Sequence, residues 1–159
     1  MNDQVKQIAG EIGLEMNIER SVVANSFNGH RLIQLAKANS LGAEAEEALF
    51  RAHFTEGRNI DSIAVLTQIG LSIGLNKDEV TEMYHSGTYA EEVKQDEYLA
   101  QSIGVRGVPF FVFDDKYAVS GAQSPEVFLQ MLEKAWVEYD VSSTKYEETS
   151  PKTQDARKG

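Results

Sequence analysis

The chain has 159 residues, 42% of them hydrophobic, and carries 25 acidic against 15 basic side chains for a net charge of -10. That length and apolar content fit one globular domain and exclude a disordered or fibrous chain. The charge disfavours duplex DNA or an anionic membrane as partner, since both demand clustered Lys and Arg. Cysteine is absent, which excludes disulfides, cysteine-ligated zinc, iron–sulfur clusters and a thiol nucleophile on this chain. No apolar run reaches the ~20 residues of a membrane helix. The opening Met1 to Gln7 lacks the basic-then-apolar layout of a signal peptide, so a soluble cytoplasmic chain is expected.

Val5, Ile8, Ala9 and Ile12 recur at helical spacing, with Gly13 suited to a C-terminal cap. Leu14 to Ile18 alternates apolar and polar residues, which predicts a short extended stretch. A second helix is expected from Asn25 or Ser26, carrying Leu32, Leu35 and Ala36 on one face and ending before Gly42. The third runs from about Ala43 to Thr55 with Ala45, Ala48, Leu49 and Ala52 aligned. Asp61 is the expected N-cap of a fourth, Ser62 to Ile73, apolar nearly all round and so predicted to be buried. Asn76 with Glu79 forms a capping-box pattern opening a fifth helix, and a sixth spans about Thr88 to Ile103.

At Gly104 the pattern changes. Val108 to Phe113, the polar Asp114-Asp115-Lys116 and then Tyr117-Ala118-Val119 predict two strands joined by a tight turn. Ser124-Pro125-Glu126 then opens a last helix, with an N-cap, a proline at the first position and an acid at the positive end. Its apolar face holds Phe128, Met131, Leu132, Ala135 and Trp136. From Ser142 onward the chain is polar and aperiodic, and a flexible tail is expected.

Few residues carry a chemical signature. His30, His53 and His85 are widely separated and share no metal-ligand spacing, so no metal site is expected. Asp114 and Asp115 sit where a turn needs them, and the acids around Glu44 to Glu47 fit a solvated helix face. His30 and Arg31 are read as packing and hydrogen-bonding residues near a domain junction. With no phosphate-cradling glycine loop either, no cofactor is expected. The densest feature is Gly104-Val105-Arg106-Gly107-Val108-Pro109-Phe110-Phe111-Val112, where a proline enters a strand without an N–H to give the sheet.

Several pieces in order resemble the DsbA-like thiol–disulfide oxidoreductases of the FrnE subfamily, within the thioredoxin superfamily. They are Asn25-Ser26 with His30-Arg31-Leu32, then Leu49 to Gly57, Gly104 to Phe111, and Tyr117 to Pro125. The resemblance implies an α/β fold, mostly helical overall. Residues 1–103 would be the helical insertion domain, 104–140 the C-terminal ββα half of a thioredoxin fold, and 141–159 the polar tail. It also implies a cis Pro109. Gly107, Val108, Pro109 and Phe110 would bind a protein or small-thiol substrate, with Val108 offering backbone groups to a substrate strand.

The family's strand, Cys-x-x-Cys helix and second strand have no counterpart here, and no side chain on this chain replaces a stabilised thiolate. The expected function is therefore a fragment or divergent member of the oxidoreductase family that is inactive alone. The alternatives are a redox-inactive peptide- or thiol-binding module, or a relative of glutathione-dependent isomerases on the same scaffold. The strand Phe110 to Phe113 would keep one edge unpaired, with Phe110, Phe111 and Phe113 open, and a homodimer through that edge is the expected partner.

Overall fold

The computed structural model describes residues 2–149, with side chains from 3 to 139. The elements follow in order: α1 (Asn2–Glu11), a 3-10 turn (Ile18–Arg20), α2 (Phe27–Ala38) and α3 (Gly42–Phe50). A π-helical turn (Arg51–Thr55) continues α3, then α4 (Ile63–Ser72), α5 (Lys77–His85) and α6 (Ala90–Ser102). They end with β1 (Phe110–Phe113), β2 (Tyr117–Ser120) and α7 (Pro125–Thr149). The chain divides inside α6 into two compact units, Met1–Leu99 and Ala100–Gly159. Among the described residues no helix is long and apolar enough to cross a membrane.

The first unit is built on the aligned apolar positions of α2, α3, α4 and α5. Leu32, Leu66 and Val80 are fully buried, and Ala45, Ala48, Leu49, Ala52, Ile69 and Met83 join them in one cluster. Small residues set the close approach. A Cβ on Gly70 would lie 3.1 Å from Val80 Cγ2 and 3.2 Å from Leu32 Cδ1, so a methyl group there would push both side chains aside by a few tenths of an ångström. Asn76 caps α5, its Oδ1 accepting from the N–H groups of Asp78 at 2.8 Å and Glu79 at 3.4 Å.

Four expectations need correction. The extended stretch expected over Leu14 to Ile18 ends early and joins no sheet: residues 14–17 are irregular and Ile18 enters the 3-10 turn. Alternation makes a strand only where a neighbouring strand supplies ladder partners. Here the partners are a carbonyl and a hydroxyl of the π turn, with Asn17 N–H donating to Phe54 O at 2.7 Å and Thr55 Oγ1 donating to Glu15 O at 2.8 Å. The third helix does not run uniformly to Thr55 but widens into the π turn after Phe50. α4 is capped at Ser62, not Asp61, and leaves Ile63 and Leu71 exposed, because neighbours cover only the side with Leu66, Ile69 and Gly70. Finally, α7 continues past Ser142 to Thr149. No Gly or Pro interrupts residues 126–149, and each further residue of an established helix adds a hydrogen bond. The remainder of the expected tail, 150–159, lies outside the described residues.

In the second unit β1 and β2 pair antiparallel, with Phe110 opposite Ser120, Phe111 opposite Val119 and Phe113 opposite Tyr117. Asp114 and Asp115 both have positive φ, 50° and 51°. Asp tolerates this backbone better than most residues, and it matches the right-handed twist of a hairpin. The hairpin packs on α7 through Phe128, whose ring meets Phe111 edge-on at 4.8 Å and Phe113 at 6.5 Å. This narrows the predicted open row of aromatics. Phe110 and Phe113 are half-buried, and on β1 only Phe111 and Val112 remain exposed.

Candidate substrate-binding loop

The residues singled out by sequence lie on one continuous segment between α6 and β1. Its start is fixed by the end of α6, where Gly104 N–H donates to Gln101 O at 3.1 Å and Val105 N–H to Ala100 O at 3.0 Å. This paired closure turns the chain sharply off the helix axis. Its far end is fixed by the hairpin, since Phe110 is already in register with Ser120.

Between these anchors the peptide bond Val108–Pro109 is cis. Pro109 has no N–H, and its carbonyl accepts from Gly121 N–H at 2.8 Å. Gly121 reaches that position with φ of 82°, a backbone region open to glycine at no steric cost. Gln123 Nε2 donates to Ser120 O at 2.9 Å and holds the turn after β2 in place. The segment Ser120-Gly121-Ala122-Gln123 therefore buttresses the proline loop. In the sequence, the glycine and the amide just past β2 were the signal for this support.

What the loop leaves free matters most. Val108 is 90% exposed. Among the described residues no hydrogen bond involves the backbone of Arg106, Gly107 or Val108. Nothing approaches Gly107 within 4 Å of where a Cβ would stand. Gly107 and Val108 thus present unpaired N–H and C=O groups to solvent, beside a proline whose own carbonyl is occupied. Phe110 is half-buried and belongs to the hairpin rather than to the open part of the loop.

Electrostatics concentrate at the opposite end of the hairpin. Lys116 pairs with Asp114 at 2.7 Å, and Tyr117 donates to Glu138 beneath the Lys134 ammonium, 4.3 Å from its ring. The Glu138 hydrogen bond holds the Tyr117 phenol above its ordinary pKa. These contacts tie hairpin to helix and lie far along the strands from Val108. Among the described residues no group of three or more His, Asp or Glu is placed to hold a metal ion.

The match to known proteins follows the same outline. The DSBA-like thioredoxin domain family matches residues 1–133. The chain belongs to that family. A probable DsbA oxidoreductase from Streptomyces coelicolor superposes with a TM-score of 0.79 at 36% identity, covering 86% of this chain and 59% of that one. The uncharacterised Bacillus subtilis protein YwbO is 25% identical over 129 residues, covering 78% of this chain and 62% of its own length. The chain thus spans about three fifths of the length of each relative. For a DsbA-like domain its composition is unusual, because it has no cysteine.

Arg31 is buried and hydrogen-bonded within the first unit. Its guanidinium donates to the carbonyls of Met83, Ser86 and Thr88 at the end of α5.

Proposed function

We infer that this chain is a substrate-binding part of a DsbA-like thiol–disulfide exchange protein, with no redox activity of its own. The observation that carries the reading is the unpaired, exposed backbone at Gly107 and Val108, held beside Pro109 by the Gly121 N–H. An extended peptide laid along the loop would satisfy those groups by strand addition, in which main-chain hydrogen bonds supply much of the affinity. Any thiol that attacks a bound disulfide has to come from outside these 159 residues, because the chain holds none.

An extended cysteine-free peptide should shift the amide resonances of Arg106 to Phe110, and methylating its backbone nitrogens should abolish the effect. Equal binding of the methylated peptide, or shifts elsewhere only, would remove the strand-addition reading. The purified chain should not accelerate the reduction of insulin by dithiothreitol over a protein-free blank at any pH. Neither serine nor threonine can cycle through a disulfide, so a rate clearly above the blank would defeat the inactive assignment.

The same reading includes a second copy of the chain as partner. Among the described residues β1 is hydrogen-bonded to β2 along one side only, and Phe111 and Val112 lie exposed on it. Pairing two such edges satisfies both rows of backbone groups at once. Sedimentation at micromolar concentration should show a dimer, and a monomer there rules this pairing out.

A further inference from the structure

The first unit contains a cavity of about 250 Å³ that the loop at Val108 does not use. Ile33 from α2, Leu49 and Phe50 from α3, and Phe54 from the π turn supply its apolar wall, and Ser26, His30 and His53 are the polar residues that line it. The π turn creates this lining by placing both His53 and Phe54 on the cavity, with their rings edge to face at 4.7 Å. Single π turns in helices frequently occur at functional sites.

A second observation singles out His53. Among the described residues its Nδ1 is the one buried side-chain nitrogen or oxygen atom without a hydrogen-bond partner. Native proteins rarely leave such a group unspent. As the ring stands, Nδ1 is sealed from solvent. A half-turn about the soft Cβ–Cγ torsion exchanges it with carbon Cδ2, which needs no partner at that wall. A ring that lines the cavity with one nitrogen unpartnered has a hydrogen bond to gain from a polar group held there.

We propose that this cavity binds a small neutral aromatic compound bearing a hydroxyl group, its ring against Leu49, Phe50 and Phe54 and its hydroxyl on His53. The volume sets the size, since an apolar cavity of about 150 Å³ accepts benzene, and 250 Å³ accepts a substituted ring. The lining sets the chemistry. No Lys or Arg side chain lines it to hold an anion, and the net charge of -10 repels one. A metal ion is a poor fit, because no third ligand accompanies the two histidines.

Two probes that differ only by the hydroxyl, p-cresol and toluene, test this on the full chain by NMR titration. Both should shift the amides of Gly29, His30, Leu49 and His53. p-Cresol should bind about fivefold tighter, the net worth of one hydrogen bond, and only p-cresol should move the His53 ring nitrogen signals. His53→Phe should abolish the preference. Gly29→Ala places a methyl 3.7 Å from Leu49 Cδ2 without a clash; this variant should fold well and bind both probes more weakly. Equal affinities, an unmoved His53 ring, or shifts mapping outside the cavity would each overturn the proposal. If His53→Phe fails to fold, the wild-type probe pair and Gly29→Ala still decide it. None of these readouts depends on peptide binding at Val108, so the two sites fail separately.

Discussion

Replacing Arg31 with methionine is expected to lower the unfolding free energy by about 2–4 kcal/mol, because it strips buried carbonyls of a charged donor and each buried group left unpaired costs about 1–3 kcal/mol. Arg31 is only 7% exposed. Its Nε donates to Thr88 O at 3.0 Å, its Nη1 to Asn28 Oδ1 at 3.1 Å, and its Nη2 to Ser86 O at 2.8 Å and also to Met83 O. No carboxylate pairs with it among the described residues. The positive charge is balanced instead by the carbonyls at the C-terminal end of α5, where the helix dipole is negative. Tyr84 adds its ring face, 5.7 Å from the guanidinium carbon, and burial pushes the Tyr84 phenol well above its ordinary pKa. Methionine fills comparable space but leaves the Ser86 and Thr88 carbonyls without the guanidinium and Met83 O with only the long bond from Ser86 Oγ, 3.4 Å. Lysine keeps the charge yet lacks the planar fork that reaches several acceptors at once, so Arg31→Lys should lose a smaller but clear part. Urea unfolding with an unchanged m-value is the measurement. A loss below about 1 kcal/mol for Arg31→Met would mean that water replaces the guanidinium, against the cost expected for unpaired buried carbonyls.

Arg31 also illustrates how far the sequence can be read. Its place on α2 was legible, because the apolar residues Leu32, Leu35 and Ala36 fix which face of that helix is buried. Its carbonyl partners were not, since they lie more than 50 residues away at the end of α5 and just after it, and no local pattern encodes a carbonyl cluster. The same division runs through the rest of the chain. Ala45, Ala48, Leu49 and Ala52 were readable as one buried stripe because helical period alone selects them. The widening of the helix between Phe50 and Thr55 was not, because one residue's change in hydrogen-bond register leaves the apolar spacing almost intact. At the candidate site, Pro109 and its neighbours stood out by composition. The carbonyl that Gly121 claims, and hence which backbone groups stay open, depends on hairpin register. The cavity at His53 was illegible because His30 and His53 come together only through tertiary packing.

Gly57→Ala should lower the midpoint of thermal unfolding by roughly 10 °C, equivalent to about 3 kcal/mol for a chain of this size. Two costs add. Gly57 has φ of +67°, where a side chain costs about 1–2 kcal/mol. A Cβ would also lie 2.6 Å from Arg20 O and 2.8 Å from Arg20 Cβ, an overlap of the kind that costs about 1–3 kcal/mol in a packed interior. The backbone of Arg20 cannot simply retreat, because the segment it belongs to serves the π turn. Asn17 Nδ2 donates to Thr55 O at 2.8 Å and Ser21 Oγ to His53 O at 3.1 Å. With Asn17 N–H on Phe54 O, these bonds satisfy three successive carbonyls at the end of that turn. Moving Arg20 outward strips those carbonyls of donors, and moving Gly57 breaks the adjoining bond from Arg58 N–H to Ala52 O, 2.8 Å long. The damage should therefore be local before it is global. Amide exchange at Asn17 and Arg58 should quicken more than at Leu32 or Val80, and p-cresol affinity at the His53 cavity should fall with it. A midpoint within about 2 °C of the parent chain, with Asn17 protection intact, would mean that this contact yields without cost and that the π turn stands without its clamp.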